Sequence, residues 1–211
     1  MDAMEIYEAL YRRWGAQHWW PAESGFEVMV GAILTQNTNW RNVERAIARL
    51  REAGVLDARA IDRMPAPELA GLIRPAGYFN VKADRLKAFV RFFIESYGGS
   101  LDRMFAESTG ALREQLLAVR GVGAETADSM LLYAGNRPVF VIDAYTRRVL
   151  LRHGACREKA SYDDLAQWFT GQLPRDPALF NEFHALLVRV GKEYCRRTPR
   201  CEDCPLTTPA A

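Results

Sequence analysis

Two glycines separated by one residue, Gly121 and Gly123, mark the stretch of this sequence that is best suited to bind an anion. Apolar runs flank them, LLAV before and ADSMLLY after, so a helix is predicted on each side of a tight turn. Glycine tolerates a positive φ and lets another backbone approach closely. The N–H groups of such a turn lie at a helix N-terminus, where they can bind an anion without a charged side chain. The same pattern also fits an ordinary corner between two helices.

One carboxylate stands out downstream of this turn. Asp143 follows a short apolar run, 139–142, and opens another predicted helix. An aspartate at that place normally caps the helix. A carboxylate can also stabilise a developing positive charge or orient an attacking water, and both roles can coexist at one residue.

Cysteines form the third group that could carry chemistry. Cys195, Cys201 and Cys204 lie within ten residues of one another, whereas Cys156 lies about forty residues upstream of the first of them. In a reducing cytosol such a cluster indicates a metal site more than a disulfide.

Helices must position all of these residues. The helical period dominates the chain, as in Leu86, Phe89, Val90 and Phe93, and only 139–142 resembles a strand, too short to need a sheet. The 211 residues are 49% hydrophobic and 26% charged, values typical of a folded protein. We predict an all-α protein of about ten helices.

Composition also limits the setting. No apolar run approaches the roughly 18 residues of a membrane span. The N-terminal stretch MDAMEIYEALYRRW is predicted to be an amphipathic helix and not a signal peptide, so a cytoplasmic, nucleoid-associated protein is expected. A monomer is the default expectation. The net charge is only +2, so any site for a polyanion must come from local clusters of basic residues. The candidates for phosphate contacts near the predicted loops are Lys82, Arg85, Arg120, Arg147 and Arg148.

The longer pattern is more specific than any of its parts. The run L-x-x-V-x-G-V-G-x-x-T-A, followed about sixteen residues later by V-I-D, resembles the helix–hairpin–helix and catalytic aspartate of the endonuclease III superfamily of DNA glycosylases. The resemblance implies a double-stranded DNA partner with a damaged base, and two helical lobes with DNA entering the cleft between them. It places one lobe, a six-helix barrel with the hairpin, at residues 24–135. The other lobe comprises residues 1–23 and 136–211.

The resemblance also assigns chemistry to two residues. It implies that Asp143 is the catalytic carboxylate, which would stabilise the oxocarbenium-like sugar formed as the glycosidic bond breaks. Bifunctional members carry a lysine in G-V-G-x-K-T-A, and that amine attacks the sugar and leads to strand cleavage through a Schiff base. This chain has Glu125 there, which cannot form a Schiff base. We therefore expect a monofunctional enzyme that uses water.

Further motifs are similar to those of bacterial 3-methyladenine DNA glycosylases within the same superfamily. They are W-W-P, G-A-I-L-T-Q-N-T and R-P-x-G-Y-F-N-x-K-A-x-R-L. That similarity implies a base pocket lined by Trp19, Trp20, Pro21 and Trp40. Electron-rich indoles suit a cationic base such as N3-methylated adenine.

The resemblance extends to DNA contacts. Gln36 resembles the polar residue that fills the gap left by the extruded base, and Tyr78 lies in the loop that supplies the apolar wedge. The hairpin residues Gly121, Gly123 and Glu125 are expected to lie against the phosphate backbone.

The cysteine run is similar to the C-terminal [4Fe–4S] loop of the superfamily, C-x6-C-x2-C-x5-C. Here the first gap is one residue shorter, and Ala210 stands where the fourth cysteine would fall. Three outcomes stay open for Cys195, Cys201 and Cys204: a cluster with an outside ligand, a vestigial loop without metal, or zinc. In each case the loop would be structural and would present Arg196, Arg197 and Arg200 to DNA.

Together these expectations predict a monofunctional glycosylase of base excision repair that acts on alkylated purines such as 3-methyladenine. The alternatives are a mismatch or uracil glycosylase, an oxidised-pyrimidine glycosylase with lyase activity, and a catalytically silent DNA-binding protein.

Overall fold

The computed structural model describes residues 2–207, and within that range its regular secondary structure is entirely helical, without a strand. Its twelve α-helices, in chain order, are α1 (Ala3–Trp14), α2 (Gly25–Leu34), α3 (Trp40–Glu52), α4 (Ala58–Arg63), α5 (Ala66–Leu72), α6 (Phe79–Tyr97), α7 (Leu101–Ala106), α8 (Thr109–Ala118), α9 (Ala124–Ser129), α10 (Ala144–Arg152), α11 (Tyr162–Thr170) and α12 (Pro177–Glu193). A short 3₁₀ helix, Arg74–Ala76, precedes α6, and a π-helical turn, Met130–Ala134, continues α9. The predicted all-α class is confirmed.

The chain separates into two compact units. One comprises Ala22–Gly135, and the other, among the described residues, comprises 2–21 and 136–207. The first unit therefore holds α2 to α9 with the π turn, and the second holds α1 and α10 to α12. No helix of the described chain is both long and apolar enough to cross a membrane.

Helix α2 forms the centre of the first unit. A helix at the surface of a protein buries one face, but in α2 every residue from Glu27 to Leu34 is buried. Its neighbours explain the difference, because α2 contacts α3, α6, α9 and the π turn and so has no face left for solvent. Helix α6, the longest, packs Leu86, Phe89 and Phe93 into the same core.

An aromatic cluster forms the core of the second unit. The Phe140 ring stacks on that of Phe169 with centroids 3.7 Å apart, and Phe180 and Phe183 meet its edges. The run 139–142, which resembled a strand, has no regular secondary structure in the described chain, and its residues Phe140, Val141 and Ile142 are buried. It anchors the residue that follows it, Asp143, at the start of α10.

Candidate active site and nucleic-acid interface

One carboxylate oxygen of Asp143 caps a helix, and the other takes no part in that cap. It is the N-cap of α10, and its Oδ1 accepts a hydrogen bond from the backbone N–H of Thr146 at 2.7 Å. Its Oδ2 lies 3.9 Å from Nε2 of His184, beyond hydrogen-bond distance, and the side chain is 13% exposed. The capping role predicted for this residue is therefore present, and the second oxygen is free of the cap.

His184 lies behind this carboxylate on α12, buried beside Phe183. Burial lowers the pKa of the imidazole, and the nearby Asp143 carboxylate raises it by less, while Lys192 lowers it further. The imidazole is thus held neutral around pH 7 next to the carboxylate. Sequence reasoning missed His184, since a single histidine on an apolar helix face carries no motif.

Trp19 and Trp20 follow α1 in the same unit. Their rings lie 5.4 Å apart at 59°, and both side chains are half-buried, whereas Pro21 is exposed. The segment before them is fixed to α12, because the backbone N–H of Gln17 donates to Glu182 at 2.7 Å and Arg189 donates to the Gln17 side chain at 3.1 Å. Helix α12 therefore positions the tryptophan pair.

The hairpin in the other unit is built from α8, the turn 119–123 and α9. Gly121 has a φ of 87°, and a Cβ at this position would collide with Cγ of Arg85. Gly123 has an ordinary φ of −97°, is exposed, and has no atom within 4 Å of where its Cβ would be. The fold thus requires a glycine at 121, while at 123 it leaves open space in front of the backbone.

A buried ion pair joins the two hairpin helices. Arg113 on α8 donates to both carboxylate oxygens of Asp128 on α9, at 2.7 and 3.2 Å, and the Asp128 side chain is 3% exposed. Bidentate pairing of this kind fixes orientation as well as distance. Glu125 lies exposed in the first turn of α9.

Gln36 is directed at the hairpin. Its amide nitrogen donates to the carbonyl of Gly121 and to Oγ1 of Thr126, both at 3.0 Å, and its amide oxygen accepts from Arg85. The side chain expected to fill a gap in DNA thus joins the α2–α3 loop to the hairpin. The exposed residue at the tip of that loop is Asn37, whose φ is 54°.

Tyr78 lies at a second exposed tip, just before α6. Its φ is 47° and it is 70% exposed, which makes it the most exposed large apolar side chain among the described residues. Asn37 and Tyr78 are thus both left-handed tip residues of short loops in one unit. Left-handed φ values in residues other than glycine are uncommon and often mark functional positions.

Trp40 begins α3, directly after the loop that carries Asn37. Its indole nitrogen donates to Glu44 one turn later at 2.9 Å, which fixes the ring on the helix surface.

Four of the five expected phosphate contacts are used within the protein, and one of them is Arg85, which donates to Gln36 as described above. Lys82 is buried, with 1% exposure. Arg147 donates to the carbonyl of Ala160, and Arg148 donates to those of Cys195 and Gly191. These last three side chains support the fold, because their charge satisfies helix-end and loop carbonyls.

The described residues do not confirm an iron–sulphur cluster at the cysteine loop. No three His, Cys, Asp or Glu side chains among residues 2–207 are grouped to hold a metal ion. Cys195 is buried with its sulphur 3.4 Å from an Arg152 nitrogen, Cys201 is exposed, and burial raises the pKa of the Cys204 thiol. Such a cluster needs four thiolates, and Ala210, the position expected for the fourth, lies outside the described residues.

Comparison with known proteins decides the family. Residues 30–174 match the HhH-GPD superfamily of base excision DNA repair proteins. The chain belongs to this superfamily. HhH-GPD proteins of this kind are DNA glycosylases that bind DNA, so the enzyme class and the predicted endonuclease III relationship are confirmed.

Three relatives illustrate the range of HhH-GPD proteins that this chain resembles. A protein of Methanocaldococcus jannaschii, named provisionally as a DNA repair glycosylase, is 47% identical over 203 residues, which are 96% of this chain and 92% of that protein. The structure of the H. pylori 3-methyladenine DNA glycosylase bound to 1,N6-ethenoadenine has a TM-score of 0.81 at 28% identity and covers 92% of this chain and 98% of that one. A thymine/uracil-DNA glycosylase of Pyrobaculum aerophilum is 27% identical over 93% of this chain and 84% of its own length.

Proposed function

We propose that this protein is a monofunctional DNA glycosylase that releases alkylated purines, with 3-methyladenine as its foremost substrate. The observation that carries the proposal is Glu125, a carboxylate exposed on the first turn of α9 at the hairpin position where bifunctional members have the Schiff-base lysine. The similarity to the H. pylori 3-methyladenine glycosylase supports the substrate class.

Asp143 is proposed as the catalytic carboxylate. Its cap hydrogen bond fixes the side chain, and Oδ2 is then available to stabilise positive charge on the sugar or to orient a water that attacks it. A neutral His184 behind it leaves the negative charge of the carboxylate uncompensated at close range. A cationic N3-methylated adenine leaves as a neutral base, so no general acid is required.

Aromatic side chains are proposed to recognise that base. Trp19 and Trp20 present two indoles held at a fixed mutual angle, and Trp40 presents an indole fixed on its own helix. Indole faces attract cations, which favours an alkylated purine over a neutral base. Pro21, which is exposed beside the pair, is proposed to share in the contact.

We propose that the hairpin and two loop tips face the DNA. Gly121, Gly123 and Glu125 present the hairpin to the phosphate backbone, and Tyr78 acts as the wedge. We move the gap-filling role from Gln36 to Asn37, since the Gln36 amide already binds three protein groups and Asn37 is the exposed tip.

The test is base release from methylated duplex DNA, with the released bases separated and identified, for the wild type and for Asp143→Asn. Asparagine caps a helix as well as aspartate does, so the variant removes charge and keeps the cap. Asp57→Asn is a matched control, because Asp57 caps α4 in the same way by accepting from Ala60 at 3.0 Å. We expect Asp143→Asn to lose at least a hundredfold in release and to keep its DNA affinity, while Asp57→Asn keeps both.

Other outcomes separate the alternatives. Strand cleavage, or covalent trapping of the wild type by borohydride, would refute the monofunctional assignment. Release from uracil or thymine mismatches without release from methylated DNA would favour the thymine/uracil specificity of the P. aerophilum relative. Full activity of Asp143→Asn would refute the catalytic role.

A further inference from the structure

Lys82 of α6 is a buried lysine that contacts two separate helix ends. Its side chain is 1% exposed, and Nζ donates to the carbonyl of Leu34 at 2.8 Å and to that of Ala76 at 2.7 Å. Leu34 is the last residue of α2, and Ala76 is the last residue of the 3₁₀ helix before α6. Helix C-terminal carbonyls lack partners within the helix and carry partial negative charge, so one ammonium satisfies both ends.

Each of these helix ends leads directly to an exposed tip. Asn37 follows Leu34 by three residues, and Tyr78 follows Ala76 by two. Both tips have left-handed φ values and are exposed, while the Lys82 contacts beneath them are shielded from solvent. A single buried group therefore fixes the bases of both tip loops.

Burying the Lys82 ammonium costs desolvation free energy, which indicates that its hydrogen bonds contribute to the structure. Burial, and secondarily the charge of Arg85, lowers the pKa of Lys82 to about 8. An apolar side chain of similar length would fill the same space without desolvating an ammonium. It would leave two buried carbonyls unsatisfied and would remove the hydrogen bonds through which this side chain links the two loop bases.

We propose that Lys82 is a positioning residue that couples the two tips, so that Asn37 and Tyr78 engage DNA as one preorganised pair. The inference rests on the proposed assignment of these tips to the gap and the wedge. Loops that are already fixed relative to each other lose less conformational entropy when they bind. The coupling should therefore act on recognition of a distorted site more than on binding to intact duplex.

Lys87 supplies a matched control on the same helix. Its Nζ donates to the carbonyls of Ile61, Asp62 and Met64 at 3.2, 2.7 and 2.8 Å, at the end of α4. It thus performs the same kind of capping at a place that carries no tip residue. Lys82→Met and Lys87→Met remove the same chemistry, and only the first should affect the tips.

The experiment compares binding to a duplex that contains a tetrahydrofuran abasic analogue with binding to the intact duplex, by fluorescence anisotropy. Both variants should lower the melting temperature. Lys82→Met should reduce the preference for the abasic analogue about tenfold, and Lys87→Met should leave it within about twofold. Equal preferences in the two variants would overturn the coupling.

A second measurement uses surface variants only and so does not depend on Lys82→Met folding. Asn37→Ala and Tyr78→Ala are made singly and together, and the same preference is measured. Coupled tips should give non-additive losses, with the double variant losing at least about threefold less than the product of the single losses. Additive losses would overturn the inference and leave the tip assignment standing. No loss in either single variant would refute the tip assignment, and with it the inference.

Discussion

At the residue scale, the neighbourhood of Asp143 consists of one cap and one buried imidazole. Oδ1 of Asp143 accepts the hydrogen bond that caps the first turn of α10, and the neutral His184 lies 3.9 Å from Oδ2. Protonation of that histidine would place a positive charge next to the carboxylate proposed to stabilise a cationic sugar. The lowered pKa of His184 therefore favours the proposed chemistry at neutral pH.

The same shift makes folding stability depend on pH. The pKa of His184 in the folded protein lies below the ordinary 6.5, so as pH falls below 6.5 the unfolded chain binds the proton first. Stability should therefore be fully present above pH 6.5 and should decline as pH falls from 6.5 towards the folded pKa. His184→Leu should flatten this part of the curve, as measured by urea unfolding between pH 7.5 and 5.

The exposed His18 provides the comparison for that series. His18→Leu should keep the wild-type slope between pH 6.5 and 5. An unchanged slope in His184→Leu would show that the buried imidazole does not carry the effect.

At the element scale, the hairpin is held from three sides. The Arg113–Asp128 pair joins α8 to α9, Gln36 joins the turn to the α2–α3 loop, and Arg85 lies against Gly121. The two glycines then have different roles. Gly121 is needed for its backbone conformation and for the close approach of Arg85, whereas Gly123 faces open space.

This difference predicts opposite effects of the same substitution. Gly121→Ala should lower the melting temperature by several degrees, because it combines a positive φ with a collision. Gly123→Ala should leave the melting temperature nearly unchanged but weaken duplex binding about three- to tenfold, or roughly 0.7–1.4 kcal/mol, because the methyl group keeps a phosphate away. Melting curves and anisotropy titrations measure the two effects.

Gly110→Ala is the control, since Gly110 lies in α8 with open space around it. Gly110→Ala should lower neither the melting temperature nor the affinity for duplex DNA. A Gly123→Ala variant with wild-type affinity would argue against a phosphate at the hairpin.

The Arg113–Asp128 pair permits a second prediction about the hairpin. Arg113→Ala would leave a 3% exposed carboxylate without its bidentate partner. Breaking a buried pair by removing one member costs about 3–5 kcal/mol. We expect a loss towards the lower end of that range in urea unfolding, because Arg113 is itself 27% exposed. A loss below about 1 kcal/mol would show that the pair does not hold the hairpin.

At the scale of the whole molecule, arginines of α10 bind the loop that follows α12. Arg152 donates to the Cys195 sulphur and to the carbonyls of Arg196 and Arg197, and Arg148 binds the carbonyls of Cys195 and Gly191. The helix that begins with Asp143 thus also fixes residues 195–197. Hydrogen bonds from arginine side chains to backbone carbonyls hold this loop in the described chain. The sequence resemblance implied metal ligands in the same loop.

That arrangement predicts which loop residues matter for stability. Arg152→Ala should destabilise the protein by about 1–2 kcal/mol, since it removes three hydrogen bonds that are partly exposed. Cys201→Ser should leave the melting temperature unchanged, because the thiol is exposed and lies outside any metal-binding group in residues 2–207. A large loss in Cys201→Ser, together with iron or zinc in the purified protein, would instead restore a metal to this loop.

The amino-acid sequence was enough to predict the class of the fold, which the structure confirms, and to propose where along the chain the chemistry lies. Helical periodicity identified the elements because it reflects local geometry, and the Gly-x-Gly turn identified the hairpin because glycine adopts a positive φ such as that of Gly121 far more readily than other residues. Asp143 was identified as a cap from its place before a helix, which is again a local property.

Tertiary structure alone decided which side chains face each other. Phe140, in the run 139–142 that resembled a strand, became part of a buried core because Phe169, Phe180 and Phe183, distant in sequence, pack around it. Gln36 turned towards the hairpin, Lys82 became an internal link and His184 came to lie behind Asp143 through contacts between residues 41 to 90 positions apart. Neither periodicity nor motif spacing encodes such contacts, because both describe neighbours along the chain while packing brings together residues far apart in it.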